Sequence, residues 1–324
     1  MIAVSKAHRF SQYLSGKVTP YLTELLVYVG QDHCYASGAR LIEKLLHVPS
    51  NATQIYRLVH HYGQSAATLL AEETPAKAVS SSEVVYVEID GGMLLTREQS
   101  WQEAKIGRVF CESDCYKEQP ERGWIKHSEY VAHLGHHRAF EAKMAVLTDK
   151  YEALAERMVV VSDGAPWIKN WVDAAYPRAT QILDFYHVKE HLAQFAHLYF
   201  SNAQQSKAWL AQVSEQLLQQ GGRQVVATIG ALKTTTQAVG KAKAKLLRYC
   251  QNNTYRMDYP YYVSRGWMIG SGAIEAAQRT VAQQRLKLSG QRWGRKGAQR
   301  VLDLRALNMS DRWHQLQDVI RNAA

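Results

Sequence analysis

The stretch VVYVEIDGGMLLT, residues 84–96, is an apolar run rich in β-branched residues that carries Glu88 and then reaches Asp90 and two glycines. Branched and aromatic residues of this kind favour a strand, so the question is why a buried strand should finish on a carboxylate. A second stretch, MVVVSDGAPWI at 158–168, repeats the pattern: Asp163 closes another apolar run and a glycine follows it. A single Asp-Gly pair is a common turn signal. Two of them after apolar runs point to adjacent strands that present carboxylates at one edge of a sheet.

Working outward, Ala71–Glu83 is a polar linker containing a proline. Before it, Tyr21–Leu70 reads as helices. Leu41, Ile42, Leu45 and Leu46 make one apolar face, and a second helix capped near Ser50–Asn51 carries Ile55, Leu58, Val59 and Tyr62, with Gly63 suited to its end. This pair is either a helix-turn-helix or an ordinary helical hairpin. After the linker the period changes to two. Val84–Asp90 is a strand, MLLT is expected as its hairpin partner across a turn at Asp90–Gly92, and WQEAKIGRVF is a third strand. A helix over roughly 140–157, the strand to Asp163, the helix PWIKNWVDAAYP and the strand ATQILDF follow. From YHVKEHL to about Tyr255 the pattern is helical. RGWMIGSGAIEAAQRTVAQQRLKL then opens with a glycine turn, and Ser271 is a cap for a helix that includes Glu275. Ile274, Val281 and Leu288 fall at heptad spacing, as a buried stripe would. The fold class is α/β: a mixed sheet flanked by helices.

The chain has 324 residues, 46% of them hydrophobic, which excludes a mostly disordered polypeptide. No apolar run approaches the ~18 residues of a membrane span, and the N-terminus lacks the apolar core of a secretory signal. Four scattered cysteines fit a reducing cytoplasm better than a disulfide framework. Net charge is +10, and the excess is concentrated. Residues 216–257 and 276–300 each contain seven Lys/Arg and no Asp/Glu. Such stripes attract polyanions, although a charge run can also be plain solvated surface.

Asp90, Asp163 and Glu275 offer three hard oxygen donors from three elements, the donor chemistry of Mg²⁺. Two such ions can clamp the attacking and leaving oxygens of an in-line phosphoryl transfer. Each residue also has a plainer reading. Asp90 can be a turn residue, Asp163 a cap for the helix near Pro166, and Glu275 a first-turn acid favoured by the helix dipole.

Together, VEIDGG, VSDGAPWI, ILDFYHVKEHL and MIGSGAIEAAQRTVAQQRLKLSGQRW resemble the DDE transposases of bacterial insertion sequences, the Kra group in particular. The resemblance implies a ribonuclease H-like core with an all-helical insertion before the last catalytic residue. It divides the chain into a helical region over 1–75, the first part of the core over 76–190, the insertion over 191–265, and the final core helix with a basic segment over 266–324. It makes Asp90, Asp163 and Glu275 the catalytic and metal-holding triad, served by two Mg²⁺ or Mn²⁺ ions and no nucleotide cofactor. Asp184 and His187, in LDFYH, resemble a supporting Asp-x-x-His motif; a helix cap and a packed histidine explain them equally well. Arg279, Arg285, Lys287, Arg292, Trp293 and Arg295 are expected to hold DNA. The implied partners are double-stranded DNA (terminal inverted repeats and target) and further copies of the chain, in the bacterial cytoplasm at the nucleoid, with no membrane. The rival readings are a resolvase-like nuclease on the same fold and a transposase-derived DNA-binding protein without catalysis. HVKEH lacks the Glu after the first His that a metalloprotease needs, and SDGAP is not a nucleophile elbow.

Overall fold

Strand β1 (Val85–Thr96) does not turn back at Asp90; it runs through Gly91 and Gly92 as one strand. The expected hairpin there is thus corrected. In the computed structural model, which describes residues 18–119, 122–234 and 236–323, packing accounts for the glycines. A Cβ at Gly91 would collide with the Glu103 carboxylate, and one at Gly92 would stand 2.9 Å from the Gln278 amide oxygen. The chain reverses later, after Thr96. The Thr96 hydroxyl accepts the Gln99 N–H (3.2 Å) and donates to the Ser100 carbonyl (2.9 Å), and Ser100 takes a φ of +60°.

Strand β2 (Ser100–Cys111) follows, and so short a turn leaves only antiparallel pairing with β1. Strands β3 (Cys115–Gln119) and β4 (Arg122–Ile125) form a separate ribbon on which Tyr116 and Trp124 stack at 4.8 Å. Strand β5 (Glu129–Leu134) pairs antiparallel with β2. The ribbon and β5 were not expected from the sequence. Strands β6 (Met158–Ser162) and β7 (Thr180–Leu183) complete a five-stranded mixed sheet in the order β5-β2-β1-β6-β7, with β1, β6 and β7 parallel.

The described residues form two compact units. One comprises the chain up to Ala78, Gly91–Lys150 and the chain from Ala276; the other comprises Val79–Asp90 and Tyr151–Glu275. Neither is continuous in sequence, and two of the crossings follow Asp90 and Glu275 directly.

In the first unit, Thr19 caps α1 (Pro20–Asp32) and Asn51 caps α3 (Ala52–Ala71), each side chain accepting a first-turn N–H. Helix α2 (Tyr35–Leu46) fully buries only Ile42 of its expected apolar face; Leu45 and Leu46 are exposed. Gly63 does not end α3. A Cβ there would stand 2.6 Å from the Arg300 Cβ on α12 (Arg295–Met309), so the glycine permits a close helix crossing. Helix α4 (His137–Thr148) follows β5, and α13 (Trp313–Asn322) packs on α1 and α3. Between α10 (Gly272–Ala277) and α11 (Gln284–Leu286) the chain widens into π-type turns over Gln278–Gln283. The carbonyls of Thr280 and Val281 in that segment accept from buried Arg305, which also bonds Gln31 and Asp32 at the end of α1. Ile274 and Val281 are fully buried, as the heptad spacing requires, but Leu288 is exposed because the helix has ended before it.

In the second unit, α5 (Pro166–Ala175) links β6 to β7. Helices α6 (Phe185–Tyr199), α7 (Ala203–Ala231), α8 (Gln237–Asn253) and α9 (Tyr259–Ser264) then follow, with no strand among the described residues of that stretch. Helix α7 is kinked at Gly221, whose φ of +76° lies in the left-handed region. The Tyr259 hydroxyl, buried among these helices, donates to the Leu183 carbonyl at the end of β7 (2.8 Å). Among the described residues, no helix is long and apolar enough to cross a membrane.

The basic segment after Glu275 also departs from expectation. Arg285 is 1% exposed, with its guanidinium 4.9 Å from the Tyr35 ring and 4.7 Å from the Trp293 ring, and its Nε donates to the Gly30 carbonyl (3.3 Å). A side chain so placed is not a phosphate contact. Arg285→Ala should therefore destabilise the fold by about 2–4 kcal/mol, from a lost cation–π sandwich and an orphaned carbonyl. Exposed Lys287→Ala should leave stability within about 0.5 kcal/mol. Denaturant titration of the two variants checks this; equal stability would mean that Arg285 does not hold α1 and Trp293 together.

Candidate functional site

Three parallel strands carry an aspartate one residue past their last paired position: Asp163 and Asp184 follow the ends of β6 and β7, and Asp90 lies within β1. The central strands are buried runs: Val85, Val87, Ile89, Val159, Val161, Ile182 and Leu183 are all 0–1% exposed, as expected of parallel strands covered on both faces. Ile89 pairs with Ser162 and Ser162 with Leu183, so the next residue on each strand is Asp90, Asp163 and Asp184. The Asp184 N–H donates to the Ser162 carbonyl at 2.9 Å, which extends that pairing by a residue. Backbones in such a row are spaced about 4.8 Å apart, and residues in register point to the same face. The carboxyl end of parallel strands is also where open α/β sheets bind ligands.

The three aspartates differ in what they hold. One Asp163 carboxylate oxygen accepts the Ala165 N–H (2.9 Å), a local turn that leads into α5 with Pro166 at its first position. That turn uses one oxygen of a group that has two. Asp184 is 3% exposed and is both cap and latch. Its Oδ1 accepts the N–H groups of Tyr186 (2.7 Å) and His187 (3.4 Å), and its Oδ2 accepts the Ser271 hydroxyl. The Phe185 N–H donates to Ile269 (2.9 Å), so the turn before α10 is pinned to the start of α6. The Ser271 carbonyl then accepts the N–H groups of Ile274 and Glu275, both at 3.0 Å. Asp184 thereby fixes where Glu275 begins its helix. Glu275 is exposed in the first turn of α10; Asp90 and Asp163 are half-buried.

The donor set of Asp90, Asp163 and Glu275 is three carboxylates with no thiolate or imidazole, which suits a hard divalent cation. Their side chains are not drawn together: among the described residues, no three His, Cys, Asp or Glu side chains stand close enough to share one ion. His187 is half-buried, with Nδ1 3.8 Å from a Glu190 carboxylate oxygen and its ring against His191. His191 in turn lies on Tyr249 with centroids 4.3 Å apart. Burial, and then the neighbouring His187 and Lys245, lower the His191 pKa, so its imidazole is neutral at pH 7.

Beside Asp163 lies a cavity of about 470 Å³ whose lining includes Gly164, Lys169, Lys245, Arg248, Tyr249 and Asn252. Lys245, Arg248 and Asn252 follow at i, i+3 and i+7 on α8 and share one exposed helix face. Lys169 is committed to Asp173 (2.8 Å), and that hydrogen bond raises its pKa. Tyr249 sits so close that a Cβ at Gly164 would meet its ring at 2.5 Å. Burial, reinforced by Cys250 and Asp163, holds the Tyr249 phenol well above its ordinary pKa, so it stays neutral. The acid-free run over 216–257 signals these cations in the sequence, but not their place beside Asp163.

The segment singled out for DNA is not one helix. Arg279, Lys287, Arg292 and Arg295 are exposed, while Arg285 is interior. Trp293 is tied down: its indole N–H donates to the Leu286 carbonyl (3.1 Å), and its backbone bonds Leu95 (3.2 Å) and Arg97 (2.9 Å). The Arg295 N–H donates to the Glu98 carboxylate at 3.1 Å.

No curated protein matches this chain. A family model described as "Uncharacterised protein family (UPF0236)" matches residues 50–317, a span that contains Asp90, Asp163, Asp184, Glu275 and the whole cationic face of α8. With most of its length covered, from the start of α3 into α13, the chain belongs to the uncharacterised protein family UPF0236.

Proposed function

We propose that the chain is a DNA strand-transferring phosphoryl transferase, a DDE transposase of an insertion sequence on a ribonuclease H-like core, as its Kra-group resemblance implies. The observation that carries this reading is the in-register row of Asp90, Asp163 and Asp184, with Glu275 started from the same latch. The sheet also supports it: sequential strands lead into alternating helix and strand, and a helical insertion precedes Glu275.

In this mechanism Asp90, Asp163 and Glu275 would hold the Mg²⁺ or Mn²⁺ ions. When bound, the ions activate the attacking oxygen and neutralise charge on the phosphoryl group. Lys245 and Arg248 hold the phosphate backbone beside Asp163, and Asn252 offers an amide on the same face. Asp184 is a positioning residue that acts through Ser271. Water first cleaves the phosphodiester at the element end and leaves a 3′-hydroxyl, which then attacks target DNA. Both steps are in-line displacements at phosphorus, so one set of residues serves both, and no Ser or Tyr nucleophile is required. The working partners are double-stranded DNA and further copies of the chain, in the bacterial cytoplasm.

Asp163→Asn keeps an oxygen for the Ala165 N–H but removes a charged ligand. It should lower Mg²⁺- or Mn²⁺-dependent nicking of flanking genomic DNA at least about 100-fold, the scale of lost metal activation. DNA affinity should stay within about twofold. If binding falls as far as cleavage, Asp163 is structural. Nicking without strand joining would favour the resolvase-like nuclease. Binding without nicking in the unaltered chain would favour a DNA-binding protein that has lost catalysis.

Lys245→Ala with Arg248→Ala should weaken binding to every DNA sequence. It should also flatten the slope of log affinity against log salt by about one to two, since each neutralised phosphate contributes about 0.9. An unchanged slope would remove the α8 face from the DNA path.

A further inference from the structure

The first unit contains a larger cavity, of about 820 Å³, that the proposed chemistry does not use. Its wall holds four aromatic rings in series. Trp293 meets Tyr35 edge-on (6.4 Å between centroids), Tyr35 meets Tyr56 edge-on (5.8 Å), and Tyr56 lies tilted on His60 (4.3 Å). Tyr56 nevertheless stays 45% exposed. The Tyr35 hydroxyl is buried with no hydrogen-bond partner among the described residues. A buried polar atom without a partner calls for an explanation, and a bound group is one. Burial raises the Tyr35 pKa to about 12, and burial with Arg300 nearby lowers that of His60, so both are neutral at pH 7. The positive charge of the lining comes from Arg285, interior between Tyr35 and Trp293, and from Arg97, Arg292 and Lys296, which are exposed. The acid of the lining, Glu98, is exposed and accepts the backbone N–H of Arg295.

Aromatic walls, one pair of them holding Arg285, with exposed cations beside them match a planar aromatic ring joined to an anion. The volume falls within the range of about 300–1,000 Å³ for small-molecule sites. A nucleotide has this chemistry, and a base can offer its face only outside the duplex stack. We propose that this cavity takes one unstacked nucleotide of a DNA strand, with the base against Tyr56 and the phosphate at Arg292 and Lys296. The proposal rests on the reading of the chain as a DNA-acting protein, and it adds a site for unpaired DNA apart from the aspartate row.

The test uses the full chain and three probes: a blunt duplex, the same duplex with a short unpaired tail, and free dAMP. The unaltered protein should bind the tailed duplex more tightly than the blunt one. Tyr56→Ala should weaken binding of the tailed duplex at least about fivefold, the lower end of what one lost stacking surface gives, and leave the blunt duplex unchanged. Tyr56→Phe should restore the difference. Should Tyr56→Ala fail to fold, Lys296→Ala, at an exposed position, should show the same selective loss. Equal affinity for tailed and blunt DNA, unaffected by these variants, overturns the proposal and leaves the DNA-acting reading standing. Saturable, Tyr56-dependent binding of dAMP that tailed DNA fails to displace also overturns it, in favour of a free-nucleotide site. Failure of both duplexes to bind brings down the proposal and the DNA-acting reading together.

Discussion

The parallel pairing of β6 with β1 on one side and with β7 on the other is the constraint from which the rest of the site follows. Strand register has a period of two residues, so a slip of one position would send an aspartate to the opposite face. Register is held where slipping costs most, in strands buried on both faces by Val85, Val87, Val159, Val161 and Ile182. Asp90, Asp163 and Asp184 come one step after the last parallel pair, where β6 and β7 end and β1 continues to Thr96. A carboxylate inside that run is desolvated, as fully buried Glu88 is; one step past it, Asp90 and Asp163 are half-buried and still inherit the geometry of the sheet. Asp184 is the exception: it is buried, and it survives burial because two backbone N–H groups and the Ser271 hydroxyl saturate it.

Much of this was legible in the sequence, for a local reason. Asp90 and Asp163 stand out because a run of β-branched residues ending on Asp-Gly is visible within a dozen positions. The reading of Asp90–Gly92 as a turn failed for a non-local reason: Gly91 and Gly92 answer to Glu103 and Gln278, and no window around position 91 contains those contacts. Strand β5 escapes a local reading because EYVAHL mixes four apolar residues with an acid and a histidine and lacks strict alternation. It is a strand because β2 pairs with it. The expectation that Arg285 holds DNA needs an exposed guanidinium, and arginine is rarely interior. Its partners Tyr35 and Gly30 lie far away in sequence, and only the folded chain brings them near.

Asp184 illustrates the limit most sharply. In the sequence Asp184 is either part of a supporting Asp-x-x-His motif or a helix cap, and its hydrogen bonds give it a further part that neither alternative contains. It caps α6, and through Ser271 it also sets the first turn of the helix that carries Glu275. A residue with such a part resembles a ligand in any sequence pattern, since it sits in the same row and has the same chemistry. The difference lies in which of its oxygens are already engaged.

The helical insertion then takes on an electrostatic meaning. On the proposed reading, a phosphodiester has to approach Asp90, Asp163 and Glu275, and like charges a few ångströms apart cost several kcal/mol even at an effective dielectric constant near 20. Two sources of positive charge can offset that repulsion: divalent cations among the carboxylates, and fixed side chains next to them. Lys245 and Arg248 are of the second kind, held beside Asp163 by α8, whereas Lys169 is largely cancelled by Asp173. Because cations lower the repulsion that opposes DNA, and DNA adds negative charge that attracts cations, their binding is linked, and the linkage is reciprocal. An acid-free helix face is a direct way to keep that linkage moderate: it attracts the strand before the cations are in place and adds no further carboxylate to the repulsion. The scarcity of acids over 216–257 is on this argument a property of the site and not of the surface alone.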